Sequence, residues 1–176
     1  MTRDAYDSLY VCEVLGKQHD RKRFDCGVSV LNDYLARVAS QDVKRKAAAV
    51  FVMSPTNDKN RIAGFYTLCS TSVELSELPP TLAKRLPRYP EVPGILIGRL
   101  ARDRAFPGVG GLLIADALLR CVRIAGEVAA TLIVVDAKDE SARGFYAKQG
   151  FLELPNITSR MFLPISTAEK LFRENP

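Results

Sequence analysis

Pro107-Gly108-Val109-Gly110-Gly111 forms a glycine-bearing turn between two apolar segments. Before it, Gly94–Ala101 is the short apolar run of a buried strand. After it, Leu112, Ala115, Leu119 and Val122 recur at helical spacing, with Asp116, Arg120 and Arg123 on another face. The turn therefore opens a helix, where the first backbone N–H groups lack intrahelical partners and the dipole is positive. Residues without Cβ there let a pyrophosphate approach bare backbone. Glycine turns also serve simply to reverse the chain or to pack a helix closely. A second pattern gives this one its weight: Asp139 to Phe151, following the apolar run Thr131–Val135 and carrying Ala142, Phe145 and Tyr146. A tyrosine hydroxyl can donate a proton to a leaving group; the structural alternative is a helix aromatic packed on Phe151 with its hydroxyl on a carbonyl. Phe145, about 100° further around the helix, is expected to point into the core.

In order and spacing these patterns resemble the GCN5-related N-acetyltransferases (GNAT). Their coenzyme-A loop reads (Gln/Arg)-x-x-Gly-x-(Gly/Ala), and their next helix carries Asn-x-x-Ala-x-x-(Leu/Phe)-Tyr ahead of Gly-Phe. Within that superfamily the chain is similar to the acetyltransferase toxins of bacterial toxin–antitoxin modules. The resembling segments are Phe24-Asp25-Cys26-Gly27, Gly64 to Leu68, Leu78-Pro79, Gly98-Arg99-Leu100-Ala101 and Asp136 to Glu140, within a match from about His19 to Pro164.

The resemblance implies an α/β GNAT fold, a mixed and mostly antiparallel sheet with splayed strands flanked by helices, in a single domain over residues 1–176. It implies acetyl-CoA as co-substrate and no metal. Main chain at Leu100, Ala101 and Arg102 would meet the pantetheine arm, and Pro107, Gly108, Val109, Gly110, Gly111 and Leu112 the pyrophosphate. Asp139, Ala142 and Phe145 are further cofactor contacts, and Tyr146 is the general acid. Three positions depart from the pattern. Ala105 replaces Arg or Gln, so that side-chain contact is not carried over. Leu112 stands where many relatives have a third glycine, beside Gly111. Asp139 replaces Asn; it either weakens a pantetheine contact or caps the helix, and capping is favoured because Asp is a good N-cap.

No dedicated base is named. A free α-amine titrates near 7.7–8.0, and esterification of the neighbouring carboxyl lowers that further, whereas a lysine ε-amine titrates near about 10.4. An aminoacyl-tRNA amine thus already has a substantial neutral fraction and demands less of the enzyme than a lysine, so that an ordered water can suffice.

At 176 residues with 47% hydrophobic and 26% charged residues, the chain has ordinary globular composition and length for a sizeable core. No run is long enough to span a bilayer, and the N-terminal ten residues lack a signal-peptide pattern, so a cytoplasmic location is expected. Cys12, Cys26, Cys69 and Cys121 show no metal-binding spacing and read as reduced packing thiols. Cys26, near a helix start, is either a small residue at a tight turn or an activated thiol; the first reading is preferred. His19, the one histidine, reads as a loop side chain rather than a base.

The coarse order is strand, helix, two strands, helix, strand, helix, strand, helix and a final hairpin. Val11–Leu15 is the first strand; Leu31, Tyr34, Leu35 and Val38 give a helix stripe. Ala48–Met53 and Ile62–Leu68 flank a turn-rich loop and should pair antiparallel. Leu78–Pro93 is a Pro-rich loop with a short basic helix, Thr81–Leu86, of the kind that carries specificity. Ser166–Arg173 has helical spacing at Ala168, Leu171 and Phe172.

The net charge is +5, with basic clusters at Lys17, Arg21 to Arg23, Lys44 to Lys46, Lys84 to Arg88 and Arg99 to Arg104. They fit a phosphate-rich substrate, and Lys44, Arg45, Arg85, Arg88 and Arg99 are the candidate substrate contacts. The family resemblance makes that substrate aminoacyl-tRNA, acetylated on its α-amine to block translation. It further implies a ribbon-helix-helix antitoxin and a homodimer, with no membrane association. Two alternatives stay open: acetylation of a small amine, antibiotic or protein lysine, and a catalytically silent protein that binds CoA or an antitoxin.

Overall fold

The computed structural model describes residues 9–174, so the reading of the extreme N-terminus lies outside the described residues. Seven strands are ordered β1-β2-β3-β4-β5-β7-β6. They are β1 (Tyr10–Val14), β2 (Ala49–Pro55), β3 (Gly64–Glu74), β4 (Glu91–Arg102), β5 (Leu132–Asp136), β6 (Leu152–Leu154) and β7 (Ile157–Pro164). The described pairings are antiparallel, including the expected β2–β3 hairpin, except that β4 runs parallel to β5. Helices are α1 (Ser29–Asp33), α2 (Ala39–Arg45), α3 (Pro80–Ala83), α4 (Val109–Glu127), α5 (Glu140–Lys148) and α6 (Ile165–Glu174), with a π-helical turn Tyr34–Val38 joining α1 to α2. By internal contacts the chain forms two compact units, Met1–Cys69 with Gly98–Ala117, and Ser70–Ile97 with Leu118–Pro176.

The first unit is built on apolar residues of β2 and β3 beneath the helical run. Phe24, Tyr34, Leu35, Ala39, Val50, Val52, Ile62, Phe65 and Ala101 form one buried cluster. The expected stripe Leu31, Tyr34, Leu35, Val38 is corrected at its end: Val38 is 41% exposed and Ala39 is fully buried instead. The cause is the π-helical turn, in which the Ala39 N–H donates to the Tyr34 carbonyl. An i→i+5 turn holds one residue more than an α-turn, so the apolar face slips by one. His19 lies in the loop after β1, as expected, but is buried there. Its Nδ1 accepts from the Gly16 N–H at 2.8 Å, which leaves Nε2 to donate to Glu13 at 3.0 Å.

Helix α4 also buries a different face from the expected one. Val109, Leu113, Ile114, Ala117, Leu118 and Cys121 are inside, whereas Ala115 is exposed and Leu112, Leu119 and Val122 are half-buried. This helix is apolar nearly all round, so period alone did not select the inner face. Packing selects it: a Cβ on Gly64 of β3 would lie 2.5 Å from Leu113 Cδ1 and 3.0 Å from the Ala101 carbonyl oxygen. Only a residue without a side chain lets α4 sit this close.

The second unit gathers Val73, Leu78, Val92, Leu132, Val134, Leu154 and Phe162. Strand β3 runs on to Glu74, beyond the expected Leu68, because Ser70 and Ser72 face outward while Val73 turns inward. The basic helix expected at Thr81–Leu86 is a single turn starting at Pro80, whose fixed φ suits a first helical position. The C-terminal spacing forms α6, which buries Ile165 and Ala168 and leaves Leu171 41% exposed.

Gly64→Ala should destabilise the protein by about 1–3 kcal/mol through overpacking, read as a lower urea midpoint; an unchanged midpoint would show that Leu113 yields freely.

Candidate functional site

The glycine turn is held from behind by a buried carboxylate. Asp103, 2% exposed, follows directly on β4. Its Oδ2 accepts from Arg61 at 2.9 Å and from the Asp25 N–H at 3.1 Å, and its Oδ1 accepts from the Ala105 N–H at 2.8 Å. The Phe106 N–H closes the bend by donating to the Asp103 carbonyl at 3.0 Å. Asp25 repeats the device one layer out: it accepts from Asn32 at 2.9 Å and the Gly27 N–H at 2.8 Å, and pairs with Arg104. These bonds, led by that from Asn32, hold the Asp25 carboxyl down at about 2.

Gly108 follows with φ of +87°, a left-handed conformation that glycine adopts freely. Val109, 1% exposed, anchors the first turn of α4 in the core. A Cβ added at Gly108 or at Gly111 would meet nothing within 4 Å. The backbone of this helix start is thus open to close approach by a ligand such as a pyrophosphate, although the Gly111 N–H already donates to the Gly108 carbonyl at 3.3 Å. Leu112 is half-buried. Leu100, Ala101 and Arg102 lie on β4 just upstream. The β4–β5 register ends at Ile97↔Val135, so β4 continues through Gly98–Arg102 beyond its last β5 partner.

In the second unit Asp139 caps α5: its Oδ1 accepts from the Ala142 N–H at 2.8 Å. Tyr146 is the one buried residue of α5, 8% exposed, edge-on to Phe151 with ring centroids 5.6 Å apart. The expectation that Phe145 fills the core is corrected, since Phe145 is half-buried and packs edge-on against Tyr146 at 5.3 Å. The packing partner Phe151 chooses Tyr146 as the inward ring. Burial, and then the negative charge of Asp136, pushes the Tyr146 phenol up to about 12. Asp136 is itself held by a two-point contact from Arg160 at 2.7 and 3.0 Å.

Among the basic candidates, Lys44 and Arg45 are exposed at the end of α2, and Arg99 is half-buried on β4 in the same unit. Arg85 and Arg88 are exposed in the other unit. None of the cysteines forms a disulfide; Cys121 is buried, and Cys26 donates to Asn32 Oδ1 at 3.1 Å within the tight turn before α1. No group of three or more His, Cys, Asp or Glu side chains that could hold a metal ion occurs among the described residues, and no helix among them is long and apolar enough to cross a membrane.

No protein-family model matches the chain. It is 33% identical over 154 residues to the tRNA-acetylating toxin of Mycobacterium tuberculosis (strain ATCC 25618 / H37Rv), a match covering 86% of this chain and 90% of that protein. The chain belongs to the GNAT acetyltransferase toxins. Two solved structures of such toxins are similar over 93% of its length. AtaT complexed with acetyl-methionyl-tRNAfMet has a TM-score of 0.85 at 30% identity, with 99% of that chain covered. A tyrosine-to-phenylalanine variant of AtaT, bound to the C-terminus of the antitoxin AtaR and acetyl-CoA, has a TM-score of 0.78 at 26% identity, with 98% of that chain covered. The α/β fold of this acetyltransferase toxin is the expected GNAT fold.

The Asp103 cluster was not foreseen from the sequence. Its signal was an acid between two arginines, Arg102-Asp103-Arg104, at the end of an apolar strand. Asp103→Ala leaves Arg61 buried without its partner and should cost about 3–5 kcal/mol, with acetyl-CoA affinity falling alongside in titration calorimetry; a stable variant with unchanged affinity would sever the cluster from the turn. For Asp25 the depressed folded value means stability present above its ordinary range near 3.8 and lost as pH falls toward about 2. Asp25→Asn should therefore flatten the acid limb of the stability curve, and an unaltered limb would refute that linkage.

Proposed function

We propose that this chain, as one GNAT domain, transfers acetyl from acetyl-CoA to the α-amine of aminoacyl-tRNA and so blocks translation. The observation that carries the reading is the bare glycine turn in a chain 33% identical to a tRNA-acetylating toxin. Acetyl-CoA supplies an acetyl thioester. The open approach at Gly108 and Gly111 fits its pyrophosphate, with main chain from Gly108 to Leu112 as the binding set and Pro107, which has no N–H to donate, leading into the turn. Leu100, Ala101 and Arg102 would bind the pantetheine arm through the main chain of β4; Asp139, Ala142 and Phe145 are proposed as further cofactor contacts.

Tyr146 carries the proton chemistry. A CoA thiol has an ordinary pKa of about 8.5, so full transfer from a phenol at about 12 runs uphill. Tyr146 instead stays protonated and donates a hydrogen bond to the negative charge growing on sulfur, which lowers the barrier to its departure. The neighbouring ester lowers the pKa of the attacking amine, so a substantial neutral fraction is present, and the proton it sheds on forming the amide passes through water to the departing thiolate. Exposed Lys44, Arg45, Arg85 and Arg88, together with Arg99, supply cations for the RNA backbone. A ribbon-helix-helix antitoxin whose tail covers these cations would restrain the toxin, which we take to be a cytoplasmic homodimer.

Incubation with radiolabelled acetyl-CoA and total charged tRNA should label the aminoacyl moiety, less at high salt. Tyr146→Phe should lower kcat by about 10²–10³-fold while keeping acetyl-CoA affinity. From about pH 6 to 10 the wild-type rate should show no inflection from Tyr146. Absence of label would discard aminoacyl-tRNA as the acceptor, and full activity of the variant would discard the role of Tyr146.

A further inference from the structure

Arg99 is half-buried on β4, yet its side chain meets no hydrogen-bonding or charged partner among the described residues. Partial burial of a cation without a counter-charge costs free energy until something arrives to pair with it. Elsewhere the chain supplies carboxylates: Arg61 has Asp103 at 2.9 Å, Arg143 has Glu153 at 3.5 Å, and Arg160 has Asp136 at 2.7 Å. Arg99 instead lies on the ring of Tyr34, with its Cζ 3.8 Å from the centroid. The Asp42 carboxylate beneath is engaged by the Tyr34 hydroxyl, which donates to it at 2.9 Å.

This seat is rigid. Tyr34 is 4% exposed and stacks on Phe65 at 6.2 Å with 20° between the planes. It opens the π-helical turn, a distortion frequent at functional sites. The Arg99 N–H donates to Thr67 Oγ1 at 3.0 Å, which fixes the backbone as well. A guanidinium with one face on an aromatic ring keeps its N–H edge for oxygens in its own plane, the geometry that suits phosphate.

We propose that Arg99, seated on Tyr34, receives a phosphodiester near the 3′ end of the acceptor RNA and thereby positions the α-amine. The inference rests on the aminoacyl-tRNA reading above. Arg99 immediately precedes Leu100 to Arg102, and Asp42, the anchor of Tyr34, lies on α2 just ahead of exposed Lys44 and Arg45. A polyanion held by Lys44 and Arg45 is thereby led toward Arg99 and the main chain proposed for the pantetheine arm. The amine itself is repelled by a guanidinium. The anion that the end of a charged tRNA offers is the phosphodiester before its terminal adenosine. Arg99 is a positioning residue in this scheme.

The test pairs a substitution with a change in the RNA. A charged minihelix is prepared with its last phosphodiester either natural or replaced by a neutral methylphosphonate, and each is assayed with wild-type protein and Arg99→Gln. Either change alone should lower kcat/KM about tenfold, as loss of one charge-assisted contact does. Both together should cost no more than one. Acetyl-CoA affinity should not change, which a merely structural Arg99 would not predict. Losses that multiply, or an Arg99→Gln kcat/KM equal to wild type, would overturn the proposal. Failure of wild-type protein to acetylate even the natural minihelix would instead overturn the aminoacyl-tRNA reading, and the inference with it.

Discussion

The buried carboxylate of Asp103 is the constraint on which the first unit turns. A charge 2% exposed is tolerable only when its oxygens are filled. Arg61 and two backbone N–H groups fill them. In doing so they tie the segment before α1, the entry to β3 and the exit of β4 to one point. The chain leaves that point with its direction set, and the glycine turn begins where the bend ends. Arg61 extends the tie, donating to the Arg23 carbonyl at 2.7 Å and lying 5.4 Å over the Phe106 ring.

A division of labour follows between main chain and side chain. The glycine turn and the overhang of β4 offer peptide groups, which no substitution removes so long as the backbone path is kept. The path is kept by side chains elsewhere: Asp103 behind the turn, Val109 in the core below it, and the absent side chain of Gly64 admitting Leu113. Tyr146 works differently. There the side chain itself is the reagent, and burial against Phe151 tunes it by holding the phenol protonated. The proposed chemistry thus asks the glycine turn for a shape and α5 for one hydroxyl.

Much of this was legible in the sequence, and the exceptions have a common cause. The glycine turn, the Asp139 cap and the position of Tyr146 are local: each depends on residues within a few places of one another. Strand β2 and its partner were readable because apolar runs flank a turn-rich loop. What failed was orientation. Helix α4 is apolar on most sides, so its inner face was set by Gly64 and Leu113 rather than by period. The one-residue slip at Ala39 follows from a π-helical turn, which leaves no mark in a hydrophobic pattern. Phe145 is only half-buried because Phe151 packs on Tyr146, its neighbour on the helix. The Asp103 cluster was hidden for a different reason, its partners Arg61 and Asp25 being 42 and 78 residues away in the chain.

The overhang of β4 past Ile97 is also an edge, and edges are dangerous. Unpaired strand backbone invites another chain to add itself, the route to aggregation. Charged side chains are the usual defence, and this stretch carries half-buried Arg99 and exposed Arg102. The same arginines that suit an anionic ligand therefore also keep the strand from recruiting the wrong kind of partner, and a binding edge can stay open without becoming sticky.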